Sequence, residues 1–542
     1  MFTFTLVSFG AISQRVAINA EGSPADSSAI LDISSTSKGV LIPRMTIMER
    51  DVIDDPAIGL LIYQTDSIAG FYVYTGTAWS TLLSRENGWG VSGNSGTNPD
   101  THFIGTMDSV PLRFRVNNEW AGEINPFTES VFFGRQSGFQ DTSGLTNSGF
   151  GSYTLHSNTT GFENSAFGSA SLNSNTEGFR NTAIGHEVLY NNILGRENSA
   201  FGSHALYFNI DGDGNTANGY QSLYNNTIGD NNTAIGIKAL NDNNEGYSNS
   251  AIGAYTLLTN TSGYSNTAVG SSALLQNTIG AGNSAVGESA LYNNFAGSLN
   301  TAVGSSSLHF NLTGVTNSAF GSNSLLSNDS GSQNVAIGTL ALNQNTSGSY
   351  NTALGYNAGT AGGDWNYTIN IGNHGYLNGY HQQAFIGNLS TLWTGGNTGW
   401  FTYSDARVKK DVQEDVKGLD FITRLRPVTY HRDIDTQTTL TGNTPTEDFE
   451  GKYDVEKIKF SGFLAQEVEQ AAVASGYDFS GVTTPRHDKE LYTLSYESFV
   501  VPLVKAVQEQ QFIIDNLNKK IESIEQHLAD IELLLVQKKN QN

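Results

Sequence analysis

Cysteine is absent from all 542 residues, which removes disulfides, thiolate metal sites and a cysteine nucleophile while leaving the compartment open. Positive charge is scarce: 28 Lys and Arg stand against 51 Asp and Glu, for a net charge of −23. A surface so acidic repels phosphate backbones, so no nucleic-acid partner is expected for the chain as a whole. Long apolar runs are missing too, and nothing approaches the roughly 18 residues that would span a bilayer. Residues 1–13, Met1-Phe-Thr-Phe-Thr-Leu-Val-Ser-Phe-Gly10 followed by Ala11-Ile-Ser13, read as a truncated signal peptide without its basic n-region, or else as an apolar strand. The signal reading places the protein outside the cell or on its surface.

What the chain has in quantity is glycine, 59 residues of it, with abundant Asn, Ser and Thr. That composition points to turn-dense β architecture, and an apolar content of 38% with 11% aromatics argues for order. The length implies several domains. Of the 28 basic residues, 17 lie at or beyond Arg407, so the C-terminal part has a different job from the rest.

An internal repeat dominates the sequence. Asn147, Asn164, Asn181, Asn198, Asn215, Asn232, Asn249, Asn266, Asn283, Asn300, Asn317, Asn334 and Asn351 follow one another at 17-residue intervals with no insertion or deletion. Each opens a pattern close to Asn-[Ser/Thr]-Ala-apolar-Gly, with Gly at slot five every time. The first twelve also carry Leu at slot nine, Asn at slot twelve and Gly at slot fifteen. A worn copy precedes them at Phe133-Gly134, and Ile371-Gly372 continues the period. Such regularity predicts a stacked, quasi-one-dimensional array of coils. Slots three and four suit a short strand ending at a glycine turn. The glycines mark positive φ or close approach to the next coil, and the asparagines suit stacked amide ladders. One unit buries too little apolar surface to offset the ordering of 17 residues, so coils must stack and chains must associate.

Around this shaft (residues 130–359) the chain divides readily. Residues 14–90 form a β-rich head, with strand-like runs at Ala29-Ile-Leu-Asp-Ile33, Gly59-Leu-Leu-Ile-Tyr63 and Phe71-Tyr-Val-Tyr74. Residues 91–129 are a connection with a strand expected at Pro111–Val116, and residues 360–403 a neck with a strand-like piece at Gln383–Gly387. Residues 404–499 are charged and mixed α/β. In residues 500–542 a 4-3 spacing of Leu503, Val507, Gln510, Ile514, Leu517, Ile521, Ile524, Leu528, Ile531 and Leu535 predicts a coiled coil. Isoleucine at both a and d positions favours three strands, and Gln510 is a lone polar d residue that fixes register.

Where repeat meets charged segment stands Ser404-Asp405-Ala-Arg407-Val-Lys409. A lysine five residues after a serine can serve as its base once desolvation makes the amine neutral. Lowering a lysine pKa by about three units costs roughly 4 kcal/mol, so folding or assembly must build such a site. The spacing alone is a weak signal. His431, His487 and Asp405 are lesser candidates. Asp211-Gly-Asp-Gly-Asn215 hints at Ca²⁺ but occurs once in thirteen repeats and reads better as an acidic turn.

Five separated motifs nevertheless agree in order: Ser404-Asp-x-Arg-x-Lys409, Leu425-Arg-Pro427-Val-Thr-Tyr430, Gly462-Phe-Leu-Ala-Gln-Glu467-Val468, Tyr496 and Val504-Lys-Ala-Val-Gln-Glu509. Over residues 402–515 this resembles the endosialidase-type intramolecular chaperone, the peptidase S74 domain. The resemblance implies trimerisation, assisted folding of the upstream fibre, and autocleavage of the Tyr403–Ser404 bond with Ser404 as nucleophile and Lys409 as base. The head, through Ala29–Ile33, Lys38-Gly-Val-Leu-Ile-Pro-Arg44 and Gly59–Tyr63, resembles N-terminal segments of bacterial secreted and phage-tail-like fibre proteins. The repeats are similar to those of trimeric adhesin heads.

The expected molecule is therefore mostly β: a trimeric β-solenoid shaft of 17-residue repeats with a C-terminal α/β chaperone ending in a trimeric coiled coil. It is a homotrimeric fibre that binds a surface glycan or protein receptor, needs no cofactor or metal, and acts as a self-cleaving serine peptidase once, in cis. The rival expectation is a fibre-borne glycan depolymerase, which requires a placed carboxylate pair. Asn147 to Gly359 holds only eleven Asp and Glu, scattered over different slots.

Overall fold

The computed structural model describes residues 15–82, 93, 95–98, 100–359, 364–372, 381–388, 391–392, 394–396, 402–441, 451–488 and 490–541. The N-terminal stretch read as a signal or strand lies outside the described residues. The chain forms two compact units, Met1–Met107 and Asp108–Asn542.

In the first unit, β1 (Val16–Ile18) pairs in parallel with β2 (Leu31–Ile33). A four-stranded sheet follows, ordered β3 (Arg44–Met45), β4 (Leu61–Gln64), β5 (Gly70–Tyr74) and β6 (Trp79–Thr81). Helix α1 (Ile47–Asp51) starts at a reciprocal cap, in which Thr46 accepts from the Glu49 N–H and Glu49 accepts from the Thr46 N–H. The core here is thin. Ile62, Tyr72 and Gln64 are buried, and the Gln64 amide oxygen accepts from the Arg50 guanidinium at 2.5 Å.

The second unit begins with strands inside the segment read as a connection. β7 (Leu112–Val116) and β8 (Glu119–Asn125) form an antiparallel hairpin, and β8 pairs with β9 (Ser130–Phe133). From β9 to β24 every pairing is parallel. Thirteen three-residue strands, β10 (Ser148–Phe150) to β22 (Thr352–Leu354), succeed one another at the 17-residue period, each in register with the next. β23 (Ile369–Ile371) and β24 (Ala384–Ile386) carry the ladder into the segment read as a neck. At about 4.8 Å per strand, the steps from β9 to β24 span roughly 70 Å.

Each slot has a physical job. Alanine at slot three and leucine at slot nine are fully buried in most coils and make a continuous core from Leu155 to Leu342. Slot-five glycines have positive φ, from 113° to 142°, and a Cβ there would strike the backbone of the next coil. Slot-fifteen glycines keep ordinary φ; they are required because a Cβ would collide with the next slot-fifteen carbonyl and the amide of slot twelve. The two asparagine columns are buried ladders. Asn266 is sealed from solvent: its N–H donates to Asn249 Oδ1 at 3.0 Å and its Nδ2 to the Gly280 carbonyl at 2.9 Å. Asn277 Nδ2 donates to Asn260 Oδ1 at 2.8 Å and to the Gly280 carbonyl at 3.0 Å. Burying so many amides is tolerable only because the stack supplies a partner at each step.

After the shaft come α2 (Leu419–Ile422), β25 (Val428–Tyr430), α3 (Ile434–Leu440), β26 (Phe460–Gly462), α4 (Ala465–Ser475), the short pair β27 (Val482–Thr483) and β28 (Thr493–Leu494), and the 40-residue helix α5 (Val500–Lys539). Phe421, Val468, Ala471, Ala472, Phe479 and Phe499 form this domain's core.

Candidate cleavage dyad and association surfaces

The Lys409 amine donates to Ser404 Oγ at 2.7 Å. A turn of 3₁₀ helix over Ala406–Val408 bridges the two residues and folds Lys409 back onto the serine. Asp405 caps that turn: its carboxylate accepts from the Arg407 N–H at 2.9 Å and pairs with the Arg407 guanidinium. Those hydrogen bonds hold the Asp405 carboxyl below the usual carboxylate range. Tyr403, Ser404 and Lys409 are all exposed in the single chain. His431 is engaged elsewhere, with its Nδ1 2.8 Å from the Glu456 carbonyl.

The other motif residues brace the domain. Glu509, on α5, accepts from the Leu419 N–H at 2.7 Å and so caps the first turn of α2. Any side chain at Gly418 would run into Glu509 and the Ala506 backbone. Arg426 pairs with Glu467 at 2.5 Å, which raises the guanidinium pKa and lowers that of the carboxyl. The Tyr496 hydroxyl accepts from the Phe463 N–H at 3.1 Å, and it fills the space where a Cβ on Gly462 would sit.

Among the described residues, two long apolar rows face solvent in the single chain. On α5 only Pro502 and Ala506 are buried, whereas the seam from Leu503 through Ile514, Ile521, Ile524 and Ile531 to Leu535 is exposed. The second surface runs along the shaft at slot four: Phe150, Phe167, Ile184, Phe201, Ile235, Ile252, Val269, Val286, Val303, Phe320, Ile337, Leu354 and Ile371, with Asn218 the sole polar member. Each keeps about two-fifths of its surface in solvent; Val269 is 36% exposed and Ile252 42%. Sequence reasoning placed these residues on strands without saying which way they face. The alternation of a three-residue strand, alanine in and its neighbours out, carries that signal. In the first unit Ile30, Leu41, Met48, Val52 and Ile58 are likewise exposed.

A β-solenoid flanked by a thin-cored β region and a small α/β module with an unpartnered helix seam is the construction of a fibre assembled from several chains. The ends of the chain match families of that kind. Residues 17–98 match the family described as Phage tail like trimerisation region, and residues 404–477 match Chaperone of endosialidase, peptidase S74. No curated protein matches the chain. The protein thus carries a trimerisation region, a β-solenoid shaft and an endosialidase-type chaperone domain. No helix among the described residues is long and apolar enough to cross a membrane.

Proposed function

We propose that the chain assembles as a homotrimeric fibre whose C-terminal module drives trimerisation and shaft folding and then cuts the Tyr403–Ser404 bond. The observation that carries this reading is the Ser404–Lys409 contact at the first residue of the chaperone match. In the reaction, neutral Lys409 takes the Ser404 hydroxyl proton as Oγ attacks the Tyr403 carbonyl carbon. The Ser404 nitrogen leaves and is protonated, which moves the acyl group from nitrogen to oxygen. Water then hydrolyses the ester, giving a Tyr403 carboxylate and a free Ser404 hydroxyl and amino terminus. A neutral amine requires desolvation, and in the single chain Lys409 is exposed. Assembly of three copies supplies the missing burial, so the cut follows folding and makes it irreversible.

Intact-mass measurement tests the cut. Wild type should yield a fragment comprising residues 404–542, whereas Ser404→Ala and Lys409→Ala should stay whole and trimeric. Uncut wild-type trimer would leave a chaperone without peptidase activity, and efficient cutting of Ser404→Ala would exclude the dyad.

The released shaft then acts outside the cell or on a virion by multivalent adhesion to a surface glycan or protein, where three parallel copies raise avidity without strong single sites. A glycan-degrading shaft would need free paired carboxylates. Among the eleven candidates, Glu163 and Glu197 both pair with Arg180, and Asp213 pairs with Arg196. Depolymerisation of a surface glycan by the released shaft would favour that rival.

A further inference from the structure

Stacking brings together three residues that the sequence keeps apart. His186 and Glu187 occupy slots six and seven of one coil, and His204 occupies slot seven of the next. His204 Nε2 lies 3.0 Å from Glu187 Oε2, and His186 Nε2 lies 3.8 Å from Glu187 Oε1. One ligand atom from each of the three falls within 4.8 Å of the other two. This is the one such group of three found among the described residues.

The stacked coils set the backbone beneath them. Glu187 and His204 both leave left-handed backbone, at φ 54° and 58°, and the coil spacing stacks one side chain over the other. The Ser203 hydroxyl lies 2.7 Å from His204 Nδ1, which fixes the ring and turns Nε2 toward Glu187. A hydrogen-bond partner on the far nitrogen is the usual support of a metal-binding imidazole. A simple Glu187–His204 ion pair accounts for one histidine. It leaves unexplained why His186 converges on the other oxygen of the same carboxylate.

We propose that His186, Glu187 and His204 bind a divalent transition-metal ion of the zinc class. Two imidazole nitrogens and a carboxylate suit that class, and three protein ligands leave a coordination position for water. Ligand bonds of about 2.0–2.2 Å place neighbouring ligand atoms roughly 3–3.5 Å apart. The Glu187–His204 pair already has that spacing, and the half-exposed His186 needs only a small swing to close the set. The ion would clamp two successive coils together and stabilise the shaft by mass action.

The test uses the full chain, freed of metal with a chelator and titrated with Co²⁺, followed by competition with Zn²⁺. Wild type should bind one ion per chain with the visible absorption of an imidazole-ligated, low-symmetry cobalt site, and its melting temperature should rise. His186→Ala and His204→Ala should each weaken binding at least roughly tenfold and abolish the metal-dependent rise in melting temperature. His309→Ala, on a shaft histidine stacked over Tyr292, should bind as wild type. Wild type binding no Co²⁺, or a His186→Ala/His204→Ala double variant matching wild-type affinity, would overturn the proposal.

Discussion

At slot nine of twelve successive coils, a buried leucine holds left-handed backbone, with φ from 48° to 52° between Leu155 and Leu342. A branched side chain ordinarily avoids that region at a cost of about 1–2 kcal/mol. The core contact outweighs the cost because the sharp turn is what aims the leucine inward. Nothing in the sequence announces this, since glycine is the usual marker of positive φ and here it stands at slot five instead. The roles of Asn266 and Asn277 were legible, because identical amides at a fixed period have few other uses. Asp141 was not. It stands at slot twelve of the worn coil, one period before Asn158, and accepts from the Gly144 N–H at 2.9 Å and Asn158 Nδ2 at 3.3 Å. It ends the amide ladder. Burial pushes its carboxyl from the ordinary 3.8 up to about 6, against the pull of those hydrogen bonds. The folded state therefore binds this proton more tightly than the unfolded state, and stability falls as pH rises from about 4 through 6. Asp141→Asn should remove that slope and stabilise the shaft above pH 6 by on the order of 1–2 kcal/mol after allowance for solvent screening. Melting curves of both proteins across this range check it, and parallel curves would rule it out.

Among the elements, the coil is the unit of exchange. Deleting Asn266 to Gly282 removes one whole period and joins equivalent slots, so melting should move by only a few degrees. Deleting eight residues from the same place shifts every later slot, burying polar residues and exposing the leucine column, and should lower melting by upwards of about 10 °C. Equal melting of the two deletions would deny the 17-residue structural period. The period and the 4-3 seam were the most legible features, because each repeats one physical requirement many times. β8 was not, since Glu119–Asn125 carries two glutamates and a glycine. It is a strand because it pairs with β7 and β9 on either side, and Glu123 is held by Arg113 at 2.7 Å. On α5, Ile521→Glu with Ile524→Glu places six carboxylates in the seam of a three-chain coil. Sedimentation should then show loss of the trimer and an aggregated shaft; a monodisperse, folded shaft would separate chaperoning from the helix.

For the assembled molecule, the exposed slot-four row is the expected meeting face of the shafts. Burial of each exposed valine or isoleucine against another copy is worth about 1.5 kcal/mol, repeated along the shaft. In a lone chain, lysines at Val269 and Val286 would sit in water at little cost. In a trimer joined along this row they bring six ammonium groups together, and the shaft should lose protease resistance and melt well below wild type. Ser262→Lys, at slot fourteen, serves as the control. If the Val269→Lys/Val286→Lys variant melts with wild type, the chains associate by another face. The metal-binding triad shows where sequence reading stops: His186 and His204 are eighteen residues apart, and no local motif links them until the coils stack.

The uninterrupted period also has a consequence for the gene. Every repeat is encoded by the same number of codons, so any exchange between equivalent positions keeps the period. Unequal exchange between them adds or removes complete coils, leaves the reading frame intact and disturbs neither end of the protein. Reach can thus be inherited in steps of about 4.8 Å, so descendants of one fibre could present the same tips at different distances from the surface that bears them.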